Sequence, residues 1–138
     1  MKKIVLLLIM AFAINSCDIS DDQPNSHLEV VPVESYTLPE SFTHDQSYTI
    51  KLKYLRPTEC HYYEGIYYSK YLNTRTIGIQ MGVLDDKDCK PLTGDPIETS
   101  FNFIVTSSVG STYKFKFYKG EDTSGNDIFD EVEIPVTN

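Results

Sequence analysis

Residues 112–119 read TYKFKFYK, and the alternation within them decides the fold. Successive side chains of an extended strand point to opposite faces, so Tyr113, Phe115 and Phe117 share one face while Lys114 and Lys116 share the other. An aromatic face opposite a charged face is typical of a strand that covers a core on one side and meets solvent on the other. The segment therefore predicts a half-buried β-sheet.

The same alternation recurs along the chain and predicts an all-β domain. Three further segments each align apolar residues on one face: Tyr48, Ile50, Leu52 and Tyr54; Phe101, Phe103 and Val105; Val132, Ile134 and Val136. Residues 61–71 and 76–84 predict two more strands, and an opening strand at 28–38 contains Pro32, which suits a sheet edge. About seven short strands in residues 28–138 predict a single antiparallel, immunoglobulin-like sandwich, although the core Trp of antibody domains is absent.

The N-terminus has the pattern of an export signal. Lys2 and Lys3 precede an apolar run at 4–14, which is too short to span a bilayer and fits a signal peptide. The run ends in Ile14-Asn15-Ser16-Cys17, which resembles the lipobox of bacterial lipoproteins, although Asn15 stands where a smaller residue is commoner. The resemblance implies a signal peptide at 1–16 and acylation of Cys17, which would anchor the protein in a membrane. The alternative is an ordinary secreted protein that is cleaved elsewhere.

Acidic residues follow the predicted anchor directly. Asp18, Asp21 and Asp22 look like the acidic export signal that sends some lipoproteins of Bacteroidota to the outer face of the outer membrane. We therefore predict an outer-membrane lipoprotein at the cell surface, with the periplasmic face as the alternative. In either case residues 17–27 are polar and predict an acidic, flexible tether.

The charge of the mature chain excludes one class of partner. Without residues 1–16, which hold two lysines and no acid, the chain has 10 Lys and Arg against 20 Asp and Glu, a formal charge of −10 over 122 residues. Nucleic-acid binding depends on neutralising phosphates with Lys and Arg. The sequence therefore predicts no nucleic-acid partner.

Cys60 and Cys89 flank two predicted strands. A hairpin centred between Thr74 and Arg75 pairs residues whose numbers sum to 149, as 60 and 89 do. The two cysteines would then face each other, so the sequence predicts a Cys60–Cys89 disulfide. Zinc or thiolate chemistry at Cys60 and His61 is the alternative, but the histidines are scattered and no C-x-x-C or H-E-x-x-H occurs, so we predict no metal site.

Two acidic loops carry oxygen ligands of the kind that calcium prefers. They are DDKD at 85–88 and GEDTSGNDIFDE at 120–131, and neither matches the calcium loop D-x-[DN]-x-[DN]-G. The second also contains Gly, Asn and Asp at positions that favour a hairpin turn. Turn formation is the simpler interpretation.

The best candidate for a binding surface is HYYEGIYYSKY at 61–71. Regular alternation would place Tyr63, Tyr67 and Tyr71 on one face, where exposed rings offer an apolar surface and a hydroxyl to a glycan or a protein partner. The alternative is that the tyrosines only stabilise the sheet through cross-strand pairing.

The layout of the whole chain adds a resemblance. The order SYTLPESF, YTIKLKYLRPTECHYYEGIYY, CKPLTGDPIETSFNFIV, YKFKFYKGEDTSGND is similar to that of small uncharacterised flavobacterial lipoproteins, which implies fold and location but no activity. No assembled catalytic motif or cofactor motif occurs, so we predict a binding or adhesion module rather than an enzyme. A structural or accessory subunit of a cell-envelope complex is the alternative.

Overall fold

The structure is a computed structural model that describes residues 25–85 and 88–138. This part of the chain contains β-strands and no helix. The strands are β1 (Ser26–Val31), β2 (Ser35–Thr37), β3 (Phe42–Thr43), β4 (Ser47–Tyr54), β5 (His61–Tyr71), β6 (Thr74–Leu84), β7 (Ile97–Ile104), β8 (Thr112–Glu121) and β9 (Asp127–Thr137). The predicted all-β class is confirmed.

The strands form two sheets that pack as a sandwich. The larger sheet has the order β1-β6-β8-β9-β3, with β5 on the other edge of β6, and the smaller sheet has the order β2-β4-β7. The prediction of purely antiparallel sheets is wrong, because β3 pairs with β9 and β6 pairs with β8 in parallel. The parallel β6–β8 pair forms because the chain leaves the larger sheet after β6, passes through β7 in the smaller sheet, and returns as β8.

The core lies between the sheets and contains the residues that alternation predicts. Tyr113, Phe115 and Phe117 of β8 are fully buried, as are Ile50 and Leu52 of β4. Around Phe42 the rings meet edge-on or tilted, and its neighbours are the rings of Tyr48, Phe103, Tyr113 and Phe115. Such arrangements are favourable beyond the area that they bury.

The opening segment differs from the prediction of one strand at 28–38. It forms β1 in the larger sheet and β2 in the smaller sheet, and the chain crosses between them at Pro32. After the proline, Val33 N donates to Tyr118 O, and Glu34 N donates to Lys53 O in the other sheet. Proline lacks the N–H that would continue a ladder, so the crossing falls there. This split and the two-residue β3 give nine strands in the described residues, and the predicted count of about seven is not confirmed.

The β5–β6 hairpin confirms the disulfide but corrects the register that predicted it. Tyr71 pairs with Thr74, so the turn is Leu72-Asn73. Partner numbers sum to 145 near the turn and to 144 beyond the bulge between Tyr63 and Gly65, not to 149. Cys60 therefore lies opposite Leu84, whose N–H donates to the Cys60 carbonyl. Cys89 lies beyond β6 in the chain and is bonded to Cys60, with a Cα–Cα distance of 5.4 Å and an S–S bond of 2.04 Å.

Candidate functional site

The predicted lipidation residue lies outside the described residues, as do the signal peptide and most of the tether. Cys17 and the acidic residues that follow it therefore remain sequence predictions. Within residues 25–85 and 88–138, no helix is long and apolar enough to cross a membrane. The functional site is therefore sought on the surfaces of the folded domain, which the structure describes.

A β-bulge in β5 decides which tyrosines share a face. Tyr63 pairs with Met81 and Gly65 pairs with Gln80, so Glu64 is an extra residue with no partner of its own. Gly65 has a φ of 152°, a conformation that residues with a side chain rarely adopt. An extra residue reverses the alternation, so Tyr63 does not share a face with Tyr67 and Tyr71. The predicted common face of the three tyrosines is wrong for this reason.

The inner face of β5 carries Tyr63 and Tyr68, which pack against the smaller sheet. The Tyr63 ring stacks on Tyr54 at 5.7 Å between centroids, and its hydroxyl is hydrogen-bonded to Thr99 Oγ1 at 2.9 Å. Tyr68 meets Phe101 edge-on at 5.6 Å. These two residues close one side of the sandwich. The alternative interpretation of the tyrosines also expected a structural role, but through cross-strand pairing within one sheet.

The outer face of β5 carries Tyr62, Tyr67 and Tyr71, and all three are exposed. Two glycines of β6 shape this face by providing recesses. A Cβ on Gly82 would lie 2.2 Å from the Tyr62 ring, and one on Gly78 would lie 2.4 Å from Val30 Cγ1. Glycine in a strand interior permits this close approach of neighbouring side chains.

Two rings from the other hairpin extend the outer face. Tyr118 of β8 pairs with Phe129 of β9, and their ring centroids are 5.9 Å apart. We call Tyr62, Tyr67, Tyr71, Tyr118 and Phe129 the aromatic face of the larger sheet. The sequence could have suggested Tyr118, because regular alternation places it on the same outward face as Lys114 and Lys116. No pattern in 127–130 distinguishes Phe129 from a core residue.

The aromatic face contains a notch of about 480 Å³ between β1 and the β8–β9 hairpin. Leu28, Val30, Tyr67, Thr76, Tyr118 and Phe129 line it together with Glu29, Glu121 and Asp127. Burial raises the pKa of the Tyr118 hydroxyl, and the carboxylates of Glu121, Asp127 and Glu29 raise it further. The notch therefore offers rings and a protonated hydroxyl beside a negative charge, which suits hydroxyl-rich or cationic groups.

A network of charges bounds the aromatic face on the β8–β9 side. The Lys114 ammonium lies 3.4 Å from Glu131 and 3.5 Å from Glu133, and Lys116 also contacts Glu131. Hydrogen bonding to Lys114 lowers the pKa of Glu131 despite some desolvation. Lys116 also lies 4.4 Å above the Phe129 ring. These charges are paired with each other, which leaves the rings as the distinctive chemistry of this face.

The residues weighed as catalytic or metal-binding have structural partners. Cys60 is in the disulfide, and His61 beside it is buried between Thr58 Oγ1 at 2.7 Å and Glu29 Oε2 at 3.2 Å. Asp122 accepts hydrogen bonds from Ser124 N and Asn126 N within the β8–β9 turn, which lower its pKa. In the part of the chain that the structure describes, no three His, Cys, Asp or Glu side chains are placed to hold a metal ion.

Comparison of the chain with family models, with curated proteins and with solved structures found no match in any of the three. A fold by itself does not define a function, because the same sandwich hosts many activities. Function must therefore be inferred from the surfaces of this molecule.

Proposed function

We propose that this protein is a membrane-anchored lipoprotein, exposed at the cell surface, whose sandwich acts as a binding or adhesion module. The observation that carries the proposal is the aromatic face, where five rings lie on one side of the larger sheet and three of them, Tyr67, Tyr118 and Phe129, line a notch. Exposed aromatic clusters beside polar groups are typical of interaction sites rather than of inert protein surface. The partner is a glycan or a protein that presents hydroxyl or cationic groups to the rings.

The position of the rings relative to the anchor supports this role. The tether enters the domain at β1, where Ser26 pairs with Leu84 at the disulfide end of the hairpin. β5 runs for 11 residues from that end to Tyr71, a length of about 33 Å at about 3.3 Å per residue. Tyr71 and Leu72 are each 76% exposed at the far tip. A module anchored through Cys17 would thus hold its most exposed apolar residues away from the membrane.

The proposed fold type is a variant of the immunoglobulin-like sandwich. Two features support it: β2-β4-β7 has the order of the first, second and fifth strands of that fold, and the last two strands pair in the other sheet. The β5–β6 hairpin departs from the immunoglobulin fold, because β6 pairs with β8 in parallel.

A binding array tests the proposed role. The purified protein is applied to an array of immobilised glycans and to a panel of immobilised extracellular proteins. We expect saturable binding to at least one probe and its loss in the variant Tyr67→Ala/Tyr71→Ala. Val109→Ala, which removes an exposed apolar side chain elsewhere, is the control and should bind as wild type does. Binding to no probe, together with co-purification with an envelope protein, would favour the accessory-subunit alternative instead.

The anchor and the location have separate tests. Wild-type protein should partition into detergent and incorporate a labelled fatty acid, whereas Cys17→Ala should not. Unchanged labelling of that variant would refute the lipoprotein proposal. Protease added to intact cells should digest the domain, and complete protection in cells with sealed outer membranes would place it on the periplasmic face.

A further inference from the structure

A second cavity, of about 440 Å³, opens on the inner side of β5 and is separate from the aromatic face. It lies between β5 and β7, the strands at the facing edges of the two sheets. Ile66, Tyr68 and Phe101 contribute to its apolar wall, and Lys70, Arg75 and Asn102 contribute polar groups. Its size is within the range of small-molecule sites in proteins.

Arg75 supplies a buried positive charge to this cavity. It is 3% exposed, and its guanidinium lies 4.9 Å from the Tyr113 ring centroid and 5.7 Å from that of Phe103. Nη1 donates to the carbonyl oxygens of Leu72 at 2.7 Å and Thr74 at 3.0 Å, whereas Nε has no hydrogen-bond partner within the described residues. Buried polar donors are nearly always satisfied, and a buried arginine is usually paired with a carboxylate.

Lys70 places a second positive charge beside the first. It pairs with Arg75 across the hairpin, so its side chain lies on the same face, and it is exposed. Like charges directly opposite each other destabilise a sheet. Among residues 25–85 and 88–138, no carboxylate forms an ion pair with either residue, although acids outnumber bases by 20 to 12 in the whole chain.

The charge of Arg75 affects the pKa of one neighbour, Tyr68. Burial raises the pKa of the Tyr68 hydroxyl, and the charge and hydrogen bonding of Arg75 oppose that rise. Tyr68 therefore links the guanidinium to the apolar wall of the cavity. A ligand at this wall would meet a ring, a hydroxyl and the exposed ammonium of Lys70, with the buried Arg75 guanidinium behind them.

The geometry points to a binding site for an organic anion: a carboxylate carried on a ring, held by Lys70 at the mouth of the cavity with Arg75 behind it, and with its ring against Tyr68 and Phe101. A carboxylate would relieve the repulsion between the two cations. Since the protein as a whole is negative, this local pair of positive charges would attract an anion to the cavity rather than to the rest of the surface. Sugar acids and aromatic acids share this chemistry.

Calorimetric titration of the protein in a non-ionic detergent tests the site. The probes are glucuronate and benzoate as ring carboxylates, glucose and benzyl alcohol as their neutral counterparts, and acetate as a carboxylate without a ring. We expect one ring carboxylate to bind saturably, at least tenfold more tightly than its neutral counterpart and acetate, and more weakly as salt is added. The acid that binds more tightly, glucuronate or benzoate, shows whether the ligand is a sugar acid or an aromatic acid. Saturable binding of neither acid, or equal binding of acetate, would overturn the proposal.

Matched variants assign the binding to this cavity. Lys70→Gln should weaken binding at least tenfold, since a charge-assisted contact is lost. Lys53→Gln removes the same charge from the outward face of the smaller sheet and should leave the affinity unchanged. Arg75→Met should weaken binding more than Arg75→Lys, which keeps the charge. If the Arg75 variants do not fold, the two lysine variants decide, and equal affinities for them would refute the site.

Discussion

Tyr67 and Tyr68 are neighbours in the chain with almost the same exposed fraction, 40% and 42%, yet they belong to different regions of the molecule. Tyr68 points inward and packs against Phe101 of the opposite sheet. Tyr67 points outward and lines the notch of the aromatic face. The comparison teaches that exposure does not separate a structural tyrosine from a candidate binding tyrosine, whereas the identity of the neighbours does.

The two faces of β5 also differ in how they are held in place. The inner side is fixed by contacts across the sandwich, through Tyr63 to Tyr54 and Thr99. The outer side is shaped within one sheet, where Gly82 leaves space for the Tyr62 ring. Perturbing the Tyr63 contacts should therefore affect stability, and perturbing the outer side should affect binding at the aromatic face.

The largest loss of stability should follow removal of the disulfide, which fixes one end of the β5–β6 hairpin and so supports both faces of β5. Replacing Cys60 and Cys89 with Ala should lower the free energy of unfolding by up to about 3.6 kcal/mol, given a sequence separation of 29. Denaturant unfolding measures the change. The far-ultraviolet circular dichroism spectrum should remain β-rich, since the aromatic core does not depend on the bond, and a random-coil spectrum would contradict this expectation.

Tyr68→Ala should destabilise the protein by about 1–3 kcal/mol, because it loses buried apolar area and the edge contact with Phe101. The matched change Tyr67→Ala should cost less than about 1 kcal/mol, since surface changes away from packed neighbours have small effects. Parallel unfolding curves compare the two. Equal losses would mean that the faces do not differ as described.

Alkaline pH should weaken the contribution of Tyr36, whose ring stacks on Phe117 of the core. Burial and then the hydrogen bond to Asp130 raise the pKa of Tyr36 from 10.0 to about 12. Because the folded pKa lies above the unfolded one, the contribution of Tyr36 to stability is intact below pH 10 and is lost as the pH rises towards 12. Stability measured across that range should fall less steeply in Tyr36→Phe, and an identical slope would refute the assignment.

Deletion of Glu64 should have the smallest effect, below about 1 kcal/mol. Removing the extra residue leaves Tyr63 opposite Met81 and Gly65 opposite Gln80, so every tyrosine keeps its face. The Tyr63–Thr99 hydrogen bond should therefore survive, which a structure of the variant would show. Regular alternation without a bulge would instead predict that the deletion turns residues 61–63 over and unfolds this end of the hairpin.

Alternation made the core predictable from the sequence. Tyr113, Phe115 and Phe117 are buried as expected, because a strand with one apolar face can be buried in only one way. The disulfide was also predicted, although from a sum of paired positions of 149, whereas the sum is 145 near the turn and 144 at the cysteine end of the hairpin. Cys89 lies outside the β5–β6 ladder, so strand pairing alone does not account for its position beside Cys60.

Features that depend on tertiary context were not predictable. A single bulged residue at Glu64 changed the membership of the tyrosine face. Gly65 is an isolated glycine within a strand, which can mark a bulge, but a glycine alone does not establish one. Arg75 lies in an alternating strand, and its burial follows from the ring of Tyr113, which is 38 residues further along the chain. Phe129 joins the aromatic face only because β9 pairs with β8.

The most direct test of the central claim is the affinity of Tyr67→Ala and Tyr68→Ala for a probe without a carboxylate that wild-type protein binds on the array. It is measured by surface plasmon resonance at a temperature where both variants are folded. Tyr67→Ala should lower the affinity at least about tenfold, as expected when an interface aromatic is truncated. Tyr68→Ala should leave the affinity nearly unchanged. Wild-type affinity in Tyr67→Ala, or a larger loss in Tyr68→Ala, would contradict the assignment of the outer face as the binding surface.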